Sequence, residues 1–311
     1  MADYAFTVFT PTYNRRHTLP GVYDSLRAQT FSDFEWVIVD DGSSDHTDEI
    51  ISVWQKEASF PIRYFYQSNR GKHVAHNRAL KEAKGELFLI FDSDDSCVPE
   101  ALERFHHHWL DLSLEQRETF STITALCRKK DGTGLGSEFP APVIDATSPQ
   151  AQMRWRRDER WGVNRTDVLR MFPFPEIPGE KFIAEGLVWT RVSLAYSTRF
   201  INEPLRVVDF RPDGLSATSV QIRASNPAGA RLYYQESIEA PMPLIWKVRD
   251  AMNYCRFSFH GGIRWARTLT DSAHFLLVSL CFPAGFLFYW LDCVQLRSRQ
   301  PSHPRGDSVR A

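Results

Sequence analysis

The stretch Leu87-Phe88-Leu89-Ile90-Phe91-Asp92-Ser93-Asp94-Asp95 constrains this chain more than any other. Five consecutive apolar residues describe a strand buried on both faces, as in a parallel sheet, and the run ends abruptly in three carboxylates within four positions. Open α/β sheets place ligands at the carboxyl ends of their strands. Acids this close repel one another, so a cation or a hydrogen-bonded ligand is the natural means of keeping them ionised together. An all-oxygen set suits Mg²⁺ or Mn²⁺. Taken by itself, a solvated acidic turn would read the same way.

The residues before this stretch repeat strand and helix. Residues 5–10 (AFTVFT) form a β-rich run closed by Pro11, and residues 18–29 follow with helical spacing at Leu19, Val22 and Leu26. Residues 34–39 (FEWVIV) are a second strand ending in Asp40-Asp41-Gly42-Ser43-Ser44-Asp45, whose Ser/Asp cluster is expected to cap a helix over 46–57. A third strand is expected over 62–67, and a helix over 71–84 stopped by Gly85. Alternation at this interval indicates βαβ units and a parallel sheet with right-handed crossovers.

Three strand ends therefore point polar groups to one edge: Thr10-Pro11-Thr12-Tyr13, Asp40-Asp41 and Asp92-Ser93-Asp94-Asp95. Their convergence describes a pocket with an aromatic floor, hydrogen-bond acceptors and a metal site. No Gly-x-Gly-x-x-Gly follows the first strand and no Gly-x-x-x-x-Gly-Lys-Ser/Thr occurs, which disfavours dinucleotide and P-loop folds. A net charge of -1 over 311 residues leaves no basic footprint for nucleic acid. The five cysteines are odd in number and lack paired metal spacing, which fits a reducing compartment. The first residues show no basic region followed by a long apolar run, so the working domain is expected in the cytoplasm.

The runs TPTYNR, QTFSDFEWVIVDDGSSDHT and NRGKHVAHNRALKEAKGELFLIFDSDD resemble, in order and spacing, the nucleotide-sugar half of family 2 glycosyltransferases of the GT-A fold. The resemblance covers about residues 4–100. It implies an α/β fold with a Rossmann-like mixed, mostly parallel sheet flanked by helices, a nucleoside-diphosphate sugar donor of the UDP or GDP type, and inverting transfer. It also implies that Thr10, Pro11 and Tyr13 surround the nucleobase and that Asp41, or Asp40, accepts from it. Asp92 and Asp94 form the D-x-D pair, with Asp94 as direct metal ligand and Asp92 nearer the ribose or a metal-bound water; Asp95 is a supporting or plain surface acid. Relatives carry Ala-Arg-Asn where this chain has Ala75-His76-Asn77, so the cationic contact must come from His76, Lys72 or Arg78, or be absent. Lys72 follows Gly71 at a loop-to-helix junction, where backbone N–H groups favour an anion, and is a candidate for the diphosphate.

The middle of the chain is expected to carry the acceptor side. Residues 99–112 read as a helix whose His106-His107-His108 triple is taken as a solvated face, since adjacent helical residues point in different directions. Residues 121–127 read as a strand, and 137–152 as an irregular excursion. Trp155 and Trp161, among charged residues, suit a sugar-binding surface as well as a core. Inverting transfer needs a base for the acceptor hydroxyl. Glu185 stands where the family's x-Glu-Asp motif places its aspartate, counted back from Arg191, with Ala184 before it. Glu180 is the second candidate, and a helix-capping role for Glu185 is the bland alternative. Residues 195–210 read as two strands, followed by Arg211 and a Gly214-Leu215-Ser216 loop that resembles a donor lid.

Beyond residue 226 helical runs carry arginines among aromatics, and residues 275–291 hold no charge. Seventeen helical residues reach ~26 Å, short of the roughly 30 Å hydrocarbon core, and Pro283 and Gly285 interrupt them. An interfacial or re-entrant hairpin is expected, with a core helix or dimer surface as the alternatives. The expected organisation is a glycosyltransferase domain over 1–225, divided at residue 100 into donor and acceptor halves, and a helical appendage over 226–311. The expected partners are a saccharide or lipid-linked acceptor and the inner face of the cell membrane, with a homodimer left open. A nucleotidyltransferase and a catalytically silent binding subunit are the competing readings.

Overall fold

The computed structural model describes residues 2–155, 158–208 and 219–298. These divide into two compact units, residues 2–208 with 240–242, and residues 219–239 with 243–298.

The first unit opens with β1 (Tyr4–Thr12), α1 (Leu19–Arg27), β2 (Phe34–Asp40), α2 (Thr47–Glu57), β3 (Ile62–Tyr66), α3 (Lys72–Glu82) and β4 (Gly85–Ile90). It continues through β5 (Ser96–Cys97), α4 (Ala101–Leu110), α5 (Leu114–Thr119), β6 (Phe120–Lys129), β7 (Gly134–Leu135), β8 (Val143–Ala146) and α6 (Pro149–Trp155). It ends with β9 (Arg160–Arg165), α7 (Thr166–Met171), α8 (Gly186–Ala195) and β10 (Ser197–Val208). One mixed sheet joins the strands in the order β3-β2-β1-β4-β9-β6-β10-β5, with β7 on β6 and β8 on β10. β1 to β4 are mutually parallel, β9 runs antiparallel to both β4 and β6, and β10 is again parallel to β6. The fold is the α/β, mostly parallel sheet expected of the GT-A class.

The central strands are apolar on both faces because helices cover both sides. Phe6, Val8, Trp36, Ile38, Leu87 and Leu89 face one core with α1, α2 and α4, where Tyr23, Trp36 and Trp54 stack at 4.5 to 6.2 Å between ring centroids. Phe9 and Phe88 stack on the other face against the His76 ring of α3.

Several local expectations are corrected. Pro11 does not close β1 but lies inside it, because β4 pairs with β1 only as far as Phe9, beyond which a residue without an N–H costs no ladder bond on that side. Gly85 begins β4 and does not cap α3; a Cβ there would stand 2.2 Å from the Thr7 nitrogen. The excursion over 137–152 contains β8 and the start of α6. Residues 197–208 form a single strand, irregular around Pro204, where two strands were expected.

The second unit is helical: α9 (Ser219–Ser225), α10 (Pro227–Glu239), α11 (Leu244–His260), α12 (Trp265–Thr270) and α13 (Phe275–Ser298). Ile238, Ala251, Tyr254, Cys255, Val278 and Cys281 form its core. The expected break in the apolar run does not occur, and α13 is continuous through Pro283. Gly285 acts as a contact residue, not a breaker: a Cβ would stand 2.4 Å from Cys255 Cβ and 2.7 Å from the Met252 carbonyl, so its absence lets α13 approach α11. Asp292, buried near the other end, is paired with Arg256 and lies 3.0 Å from His260 Nε2. The outward residues Leu276, Leu280, Leu287, Trp290 and Leu291 are exposed, so this is no core helix. Over Phe275–Gln295 it is long and apolar enough to cross a membrane.

Candidate active site

Because β1, β2 and β4 are parallel, their carboxyl ends share one edge, as expected. The first two ends are knitted together. Asn14, in the left-handed region at φ 53°, receives Ser44 N–H on its side chain and donates its own N–H to Ser43 Oγ at 2.8 Å. Asp45 accepts from Arg16 N and from Thr47, the first residue of α2, and the residue between them, His46, makes no side-chain capping bond.

Asp40 and Asp41 are both buried, and both accept hydrogen bonds from the chain itself. Asp40 accepts from Ser43 N at 2.7 Å and Tyr64 Oη at 2.9 Å. Asp41 accepts from Gln67 Nε2, Arg70 N and Gly71 N at 2.7 to 2.9 Å, tying the loop before α3 to β2. Gly71 is required at that junction: its φ is +98°, and a Cβ would stand 2.0 Å from the Lys181 carbonyl. Its N–H is spent on Asp41 and does not await an anion. Thr10 is fully buried and its Oγ1 accepts from Trp36 Nε1 at 2.9 Å, so its side chain belongs to the core. Pro11 is partly buried, and Tyr13, 50% exposed, presents a ring at the edge.

The third strand end is different. Lys72, in the first turn of α3, reaches Asp92 Oδ1 at 2.6 Å and Glu185 Oε1 at 2.7 Å. One ammonium thus bridges the first D-x-D aspartate and the carboxylate at the head of α8. Burial opposes charge on Lys72, but the two carboxylates outweigh it and raise its pKa above the ordinary value. Burial likewise opposes charge on Asp92, and the Lys72 ammonium, with Arg206, holds its carboxyl below the usual range. Asp95 is not a surface acid. It is buried with its Oδ2 2.5 Å from Arg206 Nη2, and burial pushes it up to about 7 against the pull of that guanidinium. Arg206 also reaches Glu159 at 3.2 Å. Asp94, partly buried between these two neutralised acids, has no hydrogen-bond or ion-pair partner among the described residues. An uncompensated carboxylate beside Asp92, with oxygen donors only, fits a hard divalent cation such as Mg²⁺ or Mn²⁺.

Glu185 occupies the N-cap position of α8 and makes no side-chain capping bond there. With Asp92, Trp189, Arg206 and Glu159 it lines a cleft of about 280 Å³, walled by β6 and β9. A larger cleft, about 570 Å³, lies on residues at the opposite ends of the strands. There Lys84 pairs with Asp3, Arg165 with Asp167, and Arg170 bonds the Leu80 and Ala83 carbonyls, leaving no converging reactive groups.

His76 cannot supply a cation. It is 2% exposed, ringed by Phe9, Phe88, Phe174 and Trp189, and burial, reinforced by the Lys72 charge, pushes its pKa down to about 3. Of the other two candidates, Lys72 stands on Asp92 and Glu185, while Arg78 is turned to the Tyr66 carbonyl. Asn77 fixes the chain around Phe174, donating to its carbonyl and accepting from its N–H. Trp161 is core, its Nε1 bonded to the Ile90 carbonyl at 2.7 Å, and Trp155 packs edge-on against Phe139. The expected lid over 211–216 lies outside the described residues.

The model of the family described as glycosyl transferase family 2 matches residues 7–114, from β1 into the start of α5. Over this segment the chain is similar to glycosyl transferase family 2. A teichuronic acid biosynthesis glycosyltransferase, TuaG, of Bacillus subtilis is 32% identical over 136 residues, 44% of this chain and 52% of that protein. An uncharacterized glycosyltransferase of Nostoc is 38% identical over 98 residues, 32% of this chain and 30% of its own length. The chain thus spans about half or less of these curated relatives. Among solved structures, Staphylococcus aureus TarS 1–349 in complex with UDP-GlcNAc superposes with a TM-score of 0.64 at 19% identity, covering 96% of this chain and 93% of that one. The mannosyltransferase PcManGT of Pyrobaculum calidifontis, in complex with GDP-Man and Mn²⁺, gives 0.56 at 18%, covering 94% and 81%. These similarities establish the fold.

Proposed function

We propose that this chain transfers a sugar, with inversion, from a nucleoside-diphosphate sugar to a hydroxyl of a saccharide or lipid-linked acceptor. The observation that carries the reading is the Lys72 bridge, which holds Asp92 and Glu185 within one ammonium of each other at the same cleft. The nucleotide-sugar complexes of the TarS and PcManGT neighbours support a donor of this class.

In this reading Tyr13 offers a ring face to the nucleobase, with Pro11 beside it, and Asp41 shapes the pocket by fixing the loop before α3. Asp94 and Asp92 would hold Mg²⁺ or Mn²⁺, which when bound stabilises the charge on the departing diphosphate. Lys72, already placed between the two acids, is within reach of the same phosphates. Glu185 takes the proton of the acceptor hydroxyl as that oxygen attacks the anomeric carbon. Its carboxylate is 43% exposed, so the proton leaves directly to solvent once the product departs.

The exposed outer face of α13 suits contact with the cytoplasmic membrane surface, where a lipid-linked acceptor would lie. Vesicle flotation tests this, with Leu280→Glu expected to abolish co-flotation and a dimer in solution as the competing outcome.

Transfer to a panel of saccharide acceptors, followed as release of nucleoside diphosphate, tests the chemistry. Glu185→Gln is expected to bind donor as tightly as the wild type and to transfer on the order of 10³-fold more slowly. A wild-type rate in that variant would remove Glu185 from the mechanism.

A further inference from the structure

We propose that the carboxyl-terminal end of α4 is a second metal site, formed by His107, His108 and Asp111 and suited to a borderline divalent ion such as Zn²⁺. The ligand atoms of these three side chains lie within 4.8 Å of one another. His107 Nδ1 stands 3.2 Å from Asp111 Oδ2. Two ligands of a tetrahedral ion, each about 2.1 Å from it, stand roughly 3.4 Å apart, so this pair is already spaced as a coordination edge. Both side chains are about half exposed and can turn to close on an ion.

His108 is the fixed member. It is 5% exposed, its Nε2 lies 2.7 Å from Glu203 Oε1, and its Nδ1 is buried with no hydrogen-bond partner. A carboxylate at Nε2 keeps the ring proton there and leaves the lone pair on Nδ1, the tautomer and the carboxylate support that metal-bound histidines use. The orphaned nitrogen is otherwise an unexplained cost, since buried polar atoms are nearly always paired.

The neighbouring cations do not oppose a metal strongly, because each carries its own carboxylate. Arg104 holds Glu203 with two contacts of 2.7 Å, and Arg199 holds Asp145 at 2.7 and 2.8 Å while donating to the His108 carbonyl. The site lies in the last turn of α4, where the helix carbonyls favour positive charge. Two imidazoles and one carboxylate select Zn²⁺, Co²⁺ or Ni²⁺ over Mg²⁺ and Mn²⁺, so this site and the oxygen-only D-x-D site take different ions. Through Glu203 a bound ion fastens α4 to β10, the strand that also carries Arg206. Its effect is on the stability of that half of the sheet.

Titration of the full untagged chain with Co²⁺ tests the site without an activity assay. The expected result is one Co²⁺ per chain with the visible absorption of a four- or five-coordinate ion, displaced by one equivalent of Zn²⁺ and retained in Asp94→Asn. His107→Ala and Asp111→Asn are each expected to raise the Kd at least tenfold and to abolish the Zn²⁺-dependent rise in Tm. Glu203→Gln, which keeps the shape of the support, is expected to weaken binding about tenfold. Absorption of an octahedral ion only, a band lost in Asp94→Asn, or equal affinity in His107→Ala and Asp111→Asn would overturn the assignment.

Discussion

Two acidic loops end the strands that flank β1 in the same sheet, and they are filled in different ways. Asp40 and Asp41, after β2, accept from neutral donors of β3 and the adjoining loops, three of which are backbone N–H groups, and they tie the edge together. Asp92, Asp94 and Asp95, after β4, receive charge instead of N–H groups: Lys72 from α3 and Arg206 from β10 neutralise the outer two and leave Asp94 open. Identical residue types at the ends of parallel strands thus end in different settings according to which donors the rest of the fold sends to them. A carboxylate that accepts several neutral donors is held in the scaffold, whereas one flanked by compensated neighbours can stay ionised and available.

The contrast can be broken most forcefully at Asp94. Asp94→Asn is expected to reduce transfer on the order of 10³-fold while leaving the denaturation midpoint unchanged, since the carboxylate holds nothing in the fold. Asp41→Asn should do the reverse. Replacing an acceptor of three hydrogen bonds with one that is half donor costs about 2–4 kcal/mol in urea denaturation, while transfer per folded molecule falls far less. Lys72→Met is intermediate: it removes the bridge, is expected to lower kcat about 10²-fold, and destabilises the fold by leaving Asp92 without its counter-ion.

His76 sharpens the contrast through pH. Its ring is neutral in the folded state down to about pH 3, whereas in the unfolded chain it takes up a proton near its ordinary value. Stability from this residue is therefore complete above about pH 6.5 and is lost as pH falls toward 3, by on the order of 2 kcal/mol between pH 7 and 5. Urea denaturation at those two pH values should show this loss in the wild type and a smaller one in His76→Phe. The smallest effect is expected at Glu180, whose change to Gln should leave kcat within about twofold; a loss as large as that of Glu185→Gln would exchange the two roles.

The donor side was legible because its signals are local. Apolar runs ending in acids, helices between them and the D-x-D spacing are signals of short range, and Glu185, singled out by its distance from Arg191, stands at the same cleft as Asp92. What escaped depends on partners far along the chain. Arg206 is a single arginine in an irregular strand, and nothing around it marks it as the counter-ion of Asp95, 111 positions earlier. The hydrogen bonding of Asp40 needs Tyr64 from β3, and the burial of Thr10 needs the indole of Trp36. β8 is four residues long and β9 six, with Trp161 and Gly162 set by contacts to Ile90 and Ile123 that no periodicity reveals. The histidine triple was expected on a solvated face; instead His106 packs on Phe31, His107 faces Asp111 and His108 is buried on Glu203. Gly285 misleads as a helix breaker because it is where α13 packs closely on α11, and α13 continues through the exposed Pro283.

The most direct test is calorimetric titration of nucleoside diphosphates and their sugars into the wild type, Asp94→Asn and Asp41→Asn, with Mn²⁺ and with chelator. One nucleotide is expected to bind the wild type and folded Asp41→Asn only when Mn²⁺ is present, and to lose at least tenfold in affinity in Asp94→Asn. Binding that is indifferent to Mn²⁺ and to Asp94, or that disappears in a folded Asp41→Asn while surviving in Asp94→Asn, would contradict the division between scaffold and site.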